Sequence, residues 1–329
     1  MKAWISGGAG FIGSHLARHL LVQGASVTVL DDLSAGSIHA MRDLFGHGPQ
    51  FRFVRGSVLD ADLVARTIGD ADAIFHLAAQ VHVEESIADP ASAYRTNAIG
   101  TLHVLEAARE HRTPHVVYAS STEVYGDGSA PLDEDAPLRP RSPYAAGKAA
   151  ADALCGAYGA TYELPIVRLR QFNTIGEGQR PKGYAAVVPI FAERLWQGRP
   201  PVIFGDGTQS RDFHYIGDLL RAYDLVIEQW NMLVREPVPV GSAPVLNLGT
   251  GVPTTIRALA ETMIAIAADE WQDASLRDLR PIHAAPRPGE VAGLLADAQR
   301  AKDALGFTAA VPIEEALRRY LRWFAREFG

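Results

Sequence analysis

KAWISGGAGFIGSHLARHLLVQGASVTVLD, residues 2–31, is the stretch whose reading decides the fold. Ala3–Ser6 is an apolar run of strand length. Gly7-Gly8-Ala9-Gly10-Phe11-Ile12-Gly13 follows, then a helical pattern through Leu21. A second apolar run, Ser26–Leu30, ends at Asp31. Gly7 permits a tight turn, Gly10 lets the backbone approach a pyrophosphate, and Gly13 lets helix and strand pack closely. The first helical turn, at Phe11 and Ile12, offers free N–H groups and positive dipole to phosphates. Glycine spacing alone is weak, but here a strand precedes it, a helix follows, and an acid stands about 20 residues further on. An acid at Asp31 would bond a ribose diol and repel a 2′-phosphate. No arginine follows it directly, so the expected cofactor is NAD rather than NADP.

Strand and helix patterns then alternate. Strands are expected near Phe51–Arg55, Ala73–Leu77, His115–Ala119 and Ile166–Leu169, and helices near Asp60–Ile68, Pro90–His111 and Pro143–Tyr158. Such alternation implies an α/β fold with a doubly wound parallel sheet of Rossmann type, whose ligands bind at the carboxyl ends of the strands. Leu77, Ala78 and Ala79 end one strand with small residues against which a flat cofactor can lie. Asn97, within an apolar helical stretch, is expected to tie helix to strand by buried hydrogen bonds. His76 and His82 lack a third ligand at suitable spacing, so they read as core or pocket histidines and no metal site is expected.

Proton-handling chemistry is concentrated in residues 119–148, ASSTEVYGDGSAPLDEDAPLRPRSPYAAGK. The strand ending there delivers Ser121, Thr122 and Glu123. Ser142-Pro143 then starts a helix, because the serine oxygen caps a free N–H and proline has none to lose. Tyr144 and Lys148, four apart, share a face of that helix. A neighbouring ammonium favours a phenolate over a phenol. Tyr-x-x-x-Lys is common on helices, so this pair gains weight only from its position at a strand end.

The 329 residues carry a net charge of −7 and no basic block, which argues against nucleic-acid binding. Cys155, the single cysteine, excludes an internal disulfide and reads as a packed core thiol. Neither a signal peptide nor a membrane-spanning apolar run is seen, so a cytoplasmic protein is expected. Beyond Leu169 the pattern changes. Residues 171–182 look like a loop, and Tyr184 begins a helix to about Gln197. Val202–Phe204 reads as a strand, and Ser210–Phe213 leads into a helix from about Gly217 to Trp230. Residues 231–244 read as an exposed insertion or long loop; Val245–Leu248 is a strand, Thr254 caps another helix, and residues 287–290 form a loop. Apolar residues at 313, 316, 317, 320, 321 and 324 mark one face of a final helix. Arg211 and Arg287 have the fork geometry for a phosphate, but spacing alone leaves them two arginines among many.

With these residues in view, the chain resembles the extended short-chain dehydrogenase/reductase family of nucleotide-sugar epimerases and dehydratases. The resemblance covers nearly the whole chain. It rests on GGAGFIG (7–13), HLAAQV (76–81), SSTEVYG (120–126), YAAGK (144–148), QFN (171–173), YAAVVP (184–189), GDGTQSRDFHYIGD (205–218) and RPGE (287–290). It implies a tightly held NAD in a Rossmann domain of residues 1–172, to which 212–250 return. A smaller α/β lobe, 173–211 with 251–329, would grip a nucleotide diphosphate sugar. The resemblance carries Tyr144 over as base, Lys148 as its activator and nicotinamide-ribose ligand, and Ser121 as the hydroxyl bonding the sugar O4. Asn173, Val188, Arg211 and Arg287 would hold the nucleotide and its phosphates. Ser57, with Val58 beside it, stands where relatives often place an aspartate on adenine, so that contact is expected to be made differently.

The activity implied first is that of a UDP-sugar 4-epimerase, which oxidises C4 transiently and returns the hydride to the other face. The alternatives are a nucleotide-sugar dehydratase, a uronate decarboxylase and a non-catalytic NAD-binding regulator. Glu123 matches the carboxylate that serves dehydratases as C5 base, and equally fits a carboxylate that only hydrogen-bonds near the nicotinamide. Thr122 replaces the aspartic acid that common dehydratases place before it. Ile175 and Glu177 depart from the usual sugar-side residues. Arg180 suits either a uronic acid carboxylate or the surface. A homodimer is expected by resemblance, through the helices near 90–111 and 143–158.

Overall fold

The computed structural model describes residues 1–127, 131–181, 186–235, 243–287 and 291–329. Six strands in chain order, β1 (Lys2–Ser6), β2 (Ser26–Asp31), β3 (Phe51–Arg55), β4 (Ala73–His76), β5 (His115–Ser121) and β6 (Ile166–Gln171), join Val245–Leu248 in one parallel sheet. The spatial order is Val245–Leu248, β6, β5, β4, β1, β2, β3. Strand order reverses between β1 and β4, and the connections above those two strands run apart and leave a crevice at their carboxyl ends.

Period-2 alternation sends successive side chains of each strand to opposite faces, so each face has its own core. On one, Ile5, Val29, Phe75 and Val117 meet helices Phe11–Val22 and Ile216–Glu228. On the other, Trp4, Ile74, Val116 and Ile166 meet helices Ala61–Ile68, Gly100–His111 and Pro143–Tyr162. Cys155 is buried in this second core and burial pushes its thiol up, as a packing residue. A third core joins helices Val187–Trp196, Ile256–Glu270 and Ile313–Phe328. It lies beside a small sheet in which Ser210–Tyr215 pairs with Asn173–Ile175, Pro253–Thr255 and Gly293–Leu294.

Several elements differ from the sequence expectation. Ser210–Tyr215 is a strand at the centre of the small sheet rather than a lead-in. Helix 90–111 is interrupted by a π-turn at Arg95–Ile99, where the Asn97 side chain turns inward to bond Gln80 N (2.8 Å) and Gln80 O (3.1 Å). Thr255, not Thr254, caps helix Ile256–Glu270, accepting from Ala258 N at 3.1 Å. Residues 231–235 are helical rather than an exposed loop, with Leu233 buried in the main core. Gln299–Leu305, expected in the smaller lobe, sends Ala301 and Leu305 into the first core. The expected helix start at Tyr184, residues 236–242 of the expected loop and Pro288–Glu290 of RPGE lie outside the described residues. Among the described residues, no helix is long and apolar enough to cross a membrane.

Candidate active site

The crevice at the β1/β4 switch point is a long cleft whose walls come from both lobes. At one end, Gly7 has φ +71°, and a Cβ there would sit 2.7 Å from Ala78 N. A Cβ on Gly13 would approach Gly7 O to 2.2 Å. These positions therefore exclude side chains, and the glycine loop lies directly against the end of β4. Asp31 faces the same end. Its carboxylate accepts from Ala9 N (2.9 Å) and Leu33 N (2.8 Å), and burial raises its carboxyl against those two bonds. A glycine cradle at a helix N-terminus with an acid at the next strand end fits the pyrophosphate and ribose of a dinucleotide. Phe11, Ile12, Val58, Leu77, Ala78 and Ala79 also line the cleft. Ser57 is not among the lining residues; its Oγ accepts from Leu59 N at 3.3 Å and turns the chain into the next helix.

The middle of the cleft holds the groups expected to handle protons. Ser142 caps helix Pro143–Tyr162 by accepting from Ala145 N at 3.1 Å, and Tyr144 N donates to Ser86 Oγ at 3.1 Å. Gly147 lets this helix approach the π-turn, since a Cβ there would lie 3.0 Å from Asn97 Cβ. Tyr144 and Lys148 thus face the end of β5. Lys148 is buried, donates to Ala119 O at 2.8 Å, and lies 5.0 Å from the centre of the Tyr118 ring. Burial lowers its ammonium to about 8. Ser121, Thr122 and Glu123 stand opposite, where β5 passes into the 3₁₀ turn Thr122–Tyr125. Ser121 Oγ accepts from Glu123 N at 3.2 Å. The Glu123 carboxylate takes no hydrogen bond from a described residue; burial raises it and the charge of Arg211 draws it back.

A buried ionic cluster lies behind the turn. Asp152, on the Tyr144 helix, binds Ser120 Oγ (2.6 Å), Arg168 Nη1 (2.8 Å) and Arg170 Nη2 (3.0 Å). Arg170 also donates to the Tyr125 hydroxyl at 2.9 Å, which donates to Asn247 Oδ1 at 2.7 Å. The turn is therefore anchored to β6, the Tyr144 helix and the edge strand together. Sequence reading missed these residues. Two arginines in an apolar strand were the available signal, and their partners are distant in the chain.

At the far end, Asn173 and Val188 line the cleft beside Thr174, Ile175, Gln179 and Phe213. The arginines do not. Arg211 Nη1 donates to Ser210 O (2.8 Å) and Val291 O (2.9 Å). Arg287 stacks 3.9 Å from the Phe204 ring centre and pairs with Glu84 at 3.3 Å. Arg180 pairs with Glu327 of the last helix, which also holds His39 Nε2 at 3.0 Å. Glu177 accepts from the Tyr215 hydroxyl at 2.9 Å. His76 is a satisfied core histidine, 2.6 Å from Ser6 Oγ and 2.9 Å from Thr101 Oγ1. No group of three or more His, Cys, Asp or Glu that could hold a metal occurs among the described residues.

Comparison with known proteins agrees with this geometry. The family model described as GDP-mannose 4,6 dehydratase matches residues 4–320. The chain is 36% identical over 327 residues to a UDP-glucose 4-epimerase of Mycolicibacterium smegmatis, covering 98% of each chain. It superposes with a TM-score of 0.88 on a crystal structure of UDP-glucose 4-epimerase with UDP-glucose from Thermotoga maritima, at 31% identity and full coverage of both chains. A dTDP-glucose 4,6-dehydratase from Streptomyces venezuelae with NAD bound gives a TM-score of 0.86 at 32% identity, covering 99% of this chain and 97% of the other.

Proposed function

From the premise that the chain belongs to the GDP-mannose 4,6-dehydratase family, the extended short-chain dehydrogenases/reductases that comprise nucleotide-sugar epimerases and dehydratases, we propose that it is an NAD-dependent UDP-sugar 4-epimerase. NAD, when bound, supplies a hydride acceptor and donor for the sugar C4. Gly7, Gly10, Gly13 and Asp31 would hold its adenosine and phosphates, and Leu77–Ala79 its flat face. Tyr144 takes the proton of the 4-hydroxyl and later returns it. Lys148 favours the tyrosine anion by its charge, and Ser121 holds the sugar O4. On this reading Asn173 and Val188 grip the nucleotide, and Arg211 and Arg287, which do not line the cleft here, would have to turn from Val291 O and Glu84 to reach its diphosphate.

One observation carries the choice of epimerase. A 4,6-dehydration needs a base at C5 and an acid for the leaving hydroxyl. The described lining residues hold one carboxylate near Ser121, Glu123, and the adjacent position is Thr122, a poor proton donor at its ordinary pKa. The other lining acids, Asp31 and Asp32, belong to the glycine-loop end. A second reading, dehydratase, draws on the same Glu123, whose unbonded carboxylate is suited to a C5 proton. Proton NMR in deuterated water with UDP-glucose separates the two. A C4 epimer free of solvent label supports the epimerase; a 4-keto-6-deoxy product carrying deuterium refutes it.

A further inference from the structure

A buried ammonium needs something to hold its charge, and Lys148 has little. The residue is 4% exposed, and among the described residues its Nζ makes one hydrogen bond, to Ala119 O at 2.8 Å, and no ion pair. A single carbonyl leaves two of its three donors over. Asp152, one turn further along the same helix, attracts the charge, but its oxygens are taken by Ser120, Arg168 and Arg170. The other titratable groups around it offer no counter-charge. Burial pushes the Cys155 thiol up, and burial, then the Lys148 charge itself, holds His76 of β4 down to about 3. Tyr144 stands one turn before Lys148, and Glu123, on the turn after β5, is drawn on by Arg211.

What β5 adds beside the Ala119 carbonyl is a ring. Alternation along the strand sends Tyr118 into the second core, where it is 1% exposed and stands behind Lys148, away from the cleft-lining residues. Lys148 Nζ lies over that ring, 5.0 Å from its centre. Burial raises the Tyr118 phenol well above its ordinary value, so the ring faces the ammonium uncharged. His76, fixed between Ser6 Oγ and Thr101 Oγ1, packs against the same ring with centres 5.7 Å apart. A cation within about 6 Å of an aromatic face is attracted to it, and more strongly once both are out of water. We infer that Tyr118 is a positioning residue whose ring face, with Ala119 O, holds the Lys148 ammonium charged beside Tyr144. The consequence for turnover rests on the proposed role of Lys148 as activator; the contact itself does not.

The chain has four lysines, so carbon-13 labelling at lysine Cε leaves few signals to follow through a pH titration by NMR. The full chain is titrated with NAD added, and Lys148 is the signal lost in Lys148→Arg. Tyr118→Leu removes the π face, and the Lys148 midpoint should fall by about 0.5–1.5 pH units. Tyr118→Phe keeps the face and should hold the midpoint within about 0.3 unit of the parent. Pentafluorophenylalanine in place of Tyr118 keeps the ring shape and reverses its quadrupole. It should lower the midpoint as leucine does, and it serves where leucine disturbs folding. In turnover of UDP-glucose, the alkaline limb of kcat should move down with the midpoint in Tyr118→Leu and stay in Tyr118→Phe. A midpoint that leucine and the fluorinated ring leave unmoved, or that phenylalanine lowers as far, overturns the inference. A lowered midpoint with an unshifted kcat limb sustains the ring contact and removes Lys148 from the activator role instead, which keeps the two failures apart.

Discussion

Tyr144 and Lys148 stand one helical turn apart at the end of β5 because Ser142 and Pro143 start their helix there and Gly147 lets it approach. If Tyr144 is the base, Tyr144→Phe should lower kcat by about 10²–10⁴ while nucleotide-sugar binding is kept. A variant with near-normal kcat would remove it from that role. Glu123→Gln distinguishes the two chemistries at one residue. The epimerase requires less than about a tenfold loss in kcat, whereas a C5 base would cost on the order of 10²–10⁴. That these candidate residues would come together was legible in the sequence because each combines a functional group with a local signal: a strand end or an i,i+4 pair behind a helix cap. Gln179 had no such signal. An amide in a loop is placed in the cleft wall only by the fold.

At the scale of elements, β6 shows where sequence reading stops. Ile166–Leu169 was legible as a strand, but Gln171 was expected in a loop; the strand runs on through Gln171, and all six of its residues are buried. Nothing in the string says that Arg168 and Arg170 share Asp152 from a helix, or that Arg170 also holds the turn beneath Thr122 and Glu123. Burial by itself would raise the Asp152 carboxyl, but the Arg170 bond and charge outweigh it and hold it below the usual range. Asp152→Asn should therefore destabilise the fold by roughly 3–5 kcal/mol in urea unfolding, since it leaves two guanidiniums without their counter-charge. A loss under about 1 kcal/mol, the size of an exposed pair, would contradict the description of the cluster as a buried anchor. The strand Ser210–Tyr215 was missed for a related reason. Its partners come from three other segments, and a strand of six polar and aromatic residues shows no periodicity of its own.

Over the whole molecule, the parallel sheet followed from alternating patterns and the smaller lobe was expected only from length and resemblance, while the ties between the last helix and the rest of the chain were not legible at all. Glu327 joins His39, in the loop after Asp31, to Arg180, so the last helix spans both lobes. Two buried histidines contribute to the response of this body to acid. Burial lowers His76 to about 3 and His214 to about 4, from 6.5 in the unfolded chain. Between those values the unfolded chain binds two protons that the folded chain refuses, so stability is lost as pH falls. The slope from this pair approaches about 2.7 kcal/mol per pH unit near pH 5. His214→Gln should remove about half of it in denaturant titrations across pH 4–6.5; an unchanged slope would show that His214 does not titrate as described.

The central claim, hydride loss and return at C4, is tested most directly with UDP-glucose deuterated at C4. If Tyr144 and Ser121 address O4 alone, as proposed, the product is C4-epimeric and keeps its deuterium at C4. Deuterium found at C6, or a product lacking the 4-hydroxyl, would contradict the epimerase and transfer the chemistry to Glu123.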